Sequence, residues 1–207
     1  MPCRTAPLKF QQVYYVVDAQ FRILWIGGEW DDFALANGGA AARANTVLSS
    51  DLLAHVSGAS TRTALAEMIG AVRETQRPAR LDYRCDSPQM LRRFQLSIQP
   101  MKDGRVLMVH DLRDARAFDA PLPPWRADPA AKAQKCSFCG AVHRLGGTKG
   151  KGQWDFAEDL GARHPQCVTY VICPGCAAQI AEVIDRLHQE RAPDPAATGG
   201  FGPPDDA

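Results

Sequence analysis

The spacing of apolar residues predicts two short strands near the start of the chain. Apolar residues recur over 13–17 and again over 21–26, and the polar turn residues 18–20 separate the two runs. The second run ends at Gly27 and Gly28. Two short strands joined by a tight turn are typical of a β-hairpin. We therefore predict a hairpin over residues 13–28.

A helical stretch is predicted between residues 30 and 76. Strand features disappear there, and apolar residues recur at intervals of three and four positions. The clearest repeat consists of Leu65, Met68, Ile69 and Val72. Ser60 or Thr61 precedes this repeat as a candidate N-cap. The repeat therefore predicts an amphipathic helix that begins near residue 60.

Three further strands are predicted after the helix, at residues 79–85, 91–100 and 105–111. Phe94, Leu96 and Ile98 alternate with polar neighbours in the second of them. Turn residues lie between the runs, at 86–88 and 102–104. The predicted element order is two strands, helices and three strands, which indicates a mixed α+β fold.

The remainder of the chain changes in composition and predicts a second, smaller module. Prolines at 121, 123, 124 and 129 indicate a semi-extended linker. An amphipathic helix is predicted from Ile180, Val183, Ile184 and Leu187. The predicted divisions are an N-terminal extension (1–12), a larger α+β domain (13–116), a Pro/Ala-rich linker (117–135), a four-cysteine module (136–191) and a disordered tail (192–207).

Four of the seven cysteines form two pairs with the spacing of a metal site. Cys136 and Cys139 form one pair, and Cys173 and Cys176 form the other. Two residues within each pair allow a tight turn to direct both sulfurs at one ion. Four thiolates are typical ligands of structural Zn²⁺ or, less often, of iron. We therefore predict a small zinc-ribbon-like module that ends in an α-helix and depends on its metal for folding.

The first pair is accompanied by residues whose part in the site the sequence leaves open. His143, His164 and Cys167 lie close enough along the chain to replace a ligand, although a surface histidine or a packed thiol explains each of them as well. The neighbouring cations are Lys132, Lys135, Arg144, Lys149 and Lys151. Three interpretations of these cations stay open: they offset the negative charge of a zinc tetrathiolate, they form a solvated face, or they contact phosphate.

Charge and hydropathy narrow the range of partners and compartments. The formal net charge is +1, which produces no strong field towards nucleic acid or an anionic membrane. No apolar run approaches the roughly 18 residues of a membrane-spanning helix. The first residues contain no apolar run long enough for a signal peptide, which favours the cytoplasm, a reducing compartment in which seven cysteines do not predict a disulfide framework. We therefore expect a cytoplasmic protein without a membrane partner.

Residues 13–116 resemble the PAS fold of bacterial sensory proteins. The sequence YRCDSP at residues 83–88, followed by RRF at 92–94, is similar to a strand-turn-strand motif of that family. The run over residues 52–78 also matches. The resemblance implies a five-stranded antiparallel sheet whose helices enclose a pocket for a small molecule or cofactor.

The resemblance extends into the cysteine module. One group of PAS-like proteins carries the tail motifs CSxC, GxW and ICPxC, which correspond here to residues 136–139, 152–154 and 172–176. Two positions depart from that group. Residues 140–142 replace a basic stretch, and Tyr170 replaces a histidine.

A ligand of the PAS-like pocket is not identified by the sequence. His55 is a weak candidate for a haem ligand, and a surface histidine is the alternative. Trp25, Trp30, Phe33 and Met68 are predicted to belong to the core. Cys85 and His110 are predicted as packed residues rather than a nucleophile and its base.

These features predict a non-enzymatic signal-sensing or regulatory adaptor with a structural zinc site. It would act through contacts with a protein partner, with dimerisation through the PAS-like part as an option. The alternatives are a nucleic-acid-binding regulator that uses the zinc module and a haem or thiol redox protein.

Overall fold

The larger sheet has five antiparallel strands, as predicted. The computed structural model describes residues 11–144 and 153–189. The strands are β1 Gln12–Val17, β2 Ile23–Gly28, β3 Ala79–Arg84, β4 Met90–Pro100 and β5 Val106–Ala117. Their spatial order is β2-β1-β5-β4-β3. The predicted order of two strands, helices and three strands is confirmed.

Two strand boundaries differ from the prediction for local reasons. β2 begins at Ile23 rather than at residue 21 because Phe21 takes a left-handed conformation (φ 62°). The Asp18 carboxylate accepts hydrogen bonds from the Gln20 and Arg22 amides, which prolongs the turn. β5 continues to Ala117 because it pairs with the start of β4 in a largely exposed extension. Charged residues in that extension break the apolar alternation.

Three α-helices connect β2 to β3 and lie over one face of the sheet. They are α1 Trp30–Ala36, α2 Ala44–Val47 and α3 Ala59–Thr75. The predicted helical face is confirmed, since Met68, Ile69 and Val72 are fully buried. The N-cap of α3 is Gly58, not Ser60 or Thr61. Both hydroxyl side chains instead bond residues far along the chain, as described below.

The inner face of the sheet is the core, and the outer face is more polar. Met68 is buried as predicted, and Trp30 packs against the core as a partly buried residue. The core prediction for Trp25 is wrong, because its side chain is 51% exposed. Trp25 lies on the edge strand β2 and packs against Tyr14, with ring centroids 5.1 Å apart. An apolar run on an edge strand therefore does not imply burial.

The C-terminal part contains a second sheet of four strands. They are β6 Arg126–Ala127, β7 Ala133–Cys136, β8 Val142–Arg144 and β9 Cys167–Val171. Their order is β6-β9-β7-β8, and β9 pairs in parallel with both β6 and β7. Two helices complete this part, α4 Ala157–Leu160 and α5 Pro174–Gln189. Ile180, Val183 and Leu187 of α5 are buried, as predicted.

The apolar core is continuous across the predicted divisions of the chain. One cluster of buried side chains combines Met68 and Ile69 of α3 with Phe138, Ile180 and Val183 of the C-terminal part. The predicted linker, residues 117–135, contains β6 and the start of β7. Leu122 within it is only 3% exposed. Most of the predicted N-terminal extension and the whole predicted tail lie outside the described residues.

None of the helices within residues 11–144 and 153–189 has the length and apolar character needed to cross a bilayer.

A small polar network lies on the inner face of the sheet. His110 Nδ1 is 2.8 Å from the Tyr83 hydroxyl, and His110 Nε2 is 3.3 Å from the Tyr15 hydroxyl. The imidazole also stacks on Tyr15. Burial lowers the pKa of His110 to about 4, from 6.5. The network therefore holds a neutral imidazole.

We expect His110 to make the protein less stable in acid. The unfolded imidazole binds a proton below about pH 6.5, whereas the folded one stays neutral until about pH 4. Stability present above pH 6.5 is therefore lost as the pH falls through this window, by roughly 2–3 kcal/mol. Urea unfolding at several pH values, compared between the wild type and His110→Gln, measures the difference. Equal pH dependence in the two chains would contradict it.

Candidate metal centre

The four predicted cysteines converge on one point. The Sγ atoms of Cys136, Cys139, Cys173 and Cys176 all lie within 4.8 Å of one another. Cys136 ends β7, and Cys173 follows closely after the end of β9. Since β7 and β9 are parallel neighbours, with Cys136 paired to Val171, their carboxyl ends meet at the same edge. The predicted four-cysteine cluster is therefore confirmed by the fold.

The two cysteine turns have the geometry that metal-binding turns require. Gly140 adopts φ 72°, and its amide donates to the Cys136 carbonyl at 3.1 Å. The left-handed conformation favours glycine at this position. In the second turn, the amide of Cys176 points at the Cys173 sulfur at 3.5 Å, within the first turn of α5. Amides directed at sulfur favour the thiolate form.

The thiols of the cluster shift one another's pKa values through their mutual hydrogen bonds. Hydrogen bonds from the thiols of Cys139 and Cys176 lower the pKa of Cys136. The reverse effect raises the pKa of Cys139 to about 12 and raises that of Cys176 as well. One thiolate thus forms readily, while further negative charge is resisted by its neighbours. A divalent ion removes that repulsion and allows all four sulfurs to ionise.

The distances suit a tetrahedral ion bound by four sulfurs. A zinc–sulfur bond of about 2.3 Å places the sulfurs of a regular tetrahedron about 3.8 Å apart. The Cys139 and Cys173 sulfurs are 3.7 Å apart. None of the four forms a disulfide. The donor set therefore fits zinc, and iron has the same ligand preference.

The three residues left open by the sequence lie outside this cluster. Among the described residues, these four cysteines are the group close enough together to hold a metal. The Nδ1 of His164 lies 2.9 Å from the Pro165 carbonyl oxygen, and its Nε2 lies 3.0 Å from Lys135 Nζ. The ring of His143 packs against Trp154. Cys167 lies opposite Arg126 in the pairing of β9 with β6.

Lys135 does not form part of a solvated or phosphate-binding face. It is only 4% exposed. Its ammonium donates to the Gly140 carbonyl at 3.1 Å and lies 4.5 Å from the centroid of the Trp125 ring. Burial lowers the pKa of Lys135 to about 8. The side chain supports the first cysteine turn from inside, while Lys149 and Lys151 lie outside the described residues.

The cysteine turns are bonded directly to the part of the chain that forms the larger sheet and α3, along a contact that we call the seam. Its hydrogen bonds join Ser137 to Thr61 (2.7 Å between hydroxyls), the Arg84 amide to the Phe138 carbonyl (2.6 Å), and the Ile172 amide to the Ser60 hydroxyl (3.2 Å). Thr61 and Ser60 belong to the first turn of α3. The metal cluster therefore lies against the N-terminus of the longest helix described.

An ion-pair network extends the seam to the turn between β3 and β4. Arg84 contacts Asp86 at 2.7 Å and Glu158 of α4 at 2.9 Å. The Asp86 carboxylate also accepts a hydrogen bond from the Arg92 amide. Arg84 thus joins this turn to the cysteine module through Glu158, a long-range contact that local sequence patterns do not reveal.

The remaining predicted residues lie away from the metal cluster. His55 is exposed, and its Nε2 is 2.6 Å from the Ser50 hydroxyl. Burial raises the pKa of Cys85, so its thiol stays protonated. His110 belongs to the tyrosine network described above.

Comparisons with protein-family models, with curated proteins and with solved structures found no match. The function is therefore argued from the geometry of the chain itself.

We expect about one zinc per chain in the purified protein and its loss in Cys173→Ser. Removing one sulfur breaks the tetrahedral donor set, and the C-terminal part should then unfold at lower temperature. Metal mass spectrometry and circular dichroism measure the two effects. Cys167→Ser is the matched control, because it removes a thiol of the same module outside the cluster. Equal metal content in both variants would contradict the assignment.

Substitution by alanine should change the free energy of unfolding in opposite directions at Gly58 and at Gly70. Gly58 has φ 89°, and a Cβ there would overlap the Tyr170 carbonyl. Gly58→Ala should therefore destabilise the protein by more than about 1 kcal/mol. Gly70 lies within α3 with open space around it, so Gly70→Ala should stabilise by about 0.5–1 kcal/mol. Denaturant unfolding measures both, and a neutral Gly58→Ala would disprove the close backbone contact.

Proposed function

We propose that this chain is a non-enzymatic signal-sensing or regulatory adaptor of the PAS-like type, with a structural zinc ion that fixes its C-terminal part. The element order and the five-stranded antiparallel sheet support the PAS-like assignment. The four-sulfur cluster supports the metal. The adaptor would act in the cytoplasm through contacts with a protein partner.

The seam carries this proposal. Helix α3 covers the inner face of the sheet with Met68, Ile69 and Val72, and its first turn is bonded to both cysteine turns. A ligand that displaces α3 on the sheet would therefore displace the cysteine module as well. Packed contacts of this kind shift between discrete arrangements and transmit small movements. The proposed role of zinc is to keep the receiving side rigid.

The inner face of the sheet carries side chains that suit the binding of a small molecule. Tyr15, Tyr83 and His110 form a network that combines apolar rings with hydrogen-bonding groups. Arg92 is buried nearby and stacks on Phe33, 5.5 Å from the ring centroid. Sites for small ligands commonly combine apolar walls with a few polar groups. We propose this region as the place where a small molecule acts on the sheet and α3.

The proposal predicts a protein partner whose binding depends on the metal cluster. Tagged chains are cross-linked in their source cells, and the proteins attached to them are identified by mass spectrometry. The wild type and the control Cys167→Ser should recover the same partner protein. Cys173→Ser should lose it, because the C-terminal part then loses its fixed shape.

Three results would contradict the adaptor function. They are the absence of a partner for the wild type, nuclease-sensitive cross-links that indicate nucleic acid, and a visible absorption band in the purified protein that indicates haem.

A further inference from the structure

A groove runs between α3 and α5, on the outside of the contact that joins the two parts of the chain. Its volume is about 710 Å³. Its floor consists of small or apolar residues, namely Ala64, Gly70 and Ala71 of α3, and Ala177, Ala181 and Ile184 of α5. We call this surface the α3–α5 groove. Both of its walls are helices longer than a dozen residues.

Small side chains keep the groove open. A Cβ at Gly70 would meet no atom within 4 Å, so no neighbour within the described chain requires a glycine there. Glycine is nevertheless unfavourable in the interior of a helix. The lack of a side chain at Gly70 would allow the backbone of another chain to approach α3 closely. The open floor thus leaves room for a partner chain.

The walls of the groove are acidic. Glu67, Glu74 and Asp185 line it, and no lysine or arginine belongs to its described lining. The histidine in the lining, His188, lies 3.5 Å from Glu74. The whole chain has a net charge of +1, so the groove is more negative than the chain as a whole. An occupant with positive charge is therefore favoured.

We infer that the α3–α5 groove binds a basic amphipathic helix of a partner protein, an inference that rests on the proposed adaptor function. Small apolar side chains of that helix would enter between the two walls, and its flanking lysines or arginines would face Glu67, Glu74 and Asp185. A helix in a groove between two helices is a recurring mode of peptide recognition.

Three other occupants carry negative charge and are disfavoured. The C-terminal residues 192–207 contain three aspartates and no lysine or arginine, so the chain's own tail would be repelled. A second copy placed groove to groove would bring the same acidic walls together. Nucleic acid would be repelled for the same reason.

The metal cluster sets the shape of this groove. Cys176 lies in the first turn of α5, and Ile172, just before Cys173, lines the groove and bonds Ser60 of α3. The angle between α5 and α3 is therefore fixed at the metal end. The adaptor proposal and the groove are linked through this point.

A fluorescent 18-residue peptide of leucine, alanine and lysine at helical spacing tests the inference. Fluorescence anisotropy should show micromolar binding to the wild type. Glu67→Lys/Asp185→Lys should weaken it at least ten-fold, and Gly70→Leu, which fills the groove, should do the same. The control Glu182→Lys/Asp119→Lys makes the same charge change at exposed positions outside the groove lining and should alter binding less than two-fold. Circular dichroism checks that each variant is folded.

Several results would overturn the inference. These are no binding, equal binding by the groove and control variants, and equal binding of a scrambled peptide. Light scattering that shows a wild-type dimer and a monomeric Gly70→Leu variant would assign the groove to a second copy instead. If the peptide fails while cross-linking still recovers a metal-dependent partner, the groove is wrong and the adaptor function stands. If the peptide binds but no cellular partner is found, the adaptor function is wrong.

Discussion

The convergence of four sulfur atoms within 4.8 Å of one another is the constraint on which the C-terminal part depends. Four thiolates at that separation repel one another unless a cation lies between them. The parallel pairing of β7 with β9 brings the two cysteine turns together, and the start of α5 is tied to the second turn. The short strands here bury little apolar area by themselves. A bound metal would add free energy to the burial that this part obtains from the core it shares with α3.

The first cysteine turn also contacts the larger sheet and helix α3. Ser137 and Phe138 lie between the first two cysteines, and they bond Thr61 of α3 and Arg84 of β3, respectively. Arg84 is nearly buried, with 11% of its side chain exposed, and its two carboxylate partners come from both parts of the chain. Buried ion pairs of this kind fix geometry more than they add stability. The network therefore specifies how the two parts meet.

Local patterns in the sequence predicted the helices, the strands and the cysteine cluster, but not the contacts between residues far apart along the chain. The alternation in β4, the helical repeat of α3 and the spacing of the cysteines depend only on neighbours along the chain, and each was found. The contacts of Arg84 with Glu158, of Lys135 with His164 and of Gly58 with Tyr170 join residues far apart along the chain, so local patterns carried no information about them. Trp25 was misplaced because edge strands expose apolar residues that central strands would bury.

Helix α3 connects three surfaces that the sequence treats separately. Its buried face packs on the sheet, its first turn bonds the cysteine turns, and its remaining face is one wall of the acidic groove. A helix moves as a rigid body over this length, so a shift at the sheet changes the groove as well. The other wall, α5, begins at the second cysteine turn, which is bonded to the first turn of α3, so the two helices would move together at this end. A tilt of α3 about that end would change the width of the groove at its other end, which is how a signal at the sheet would reach a bound partner.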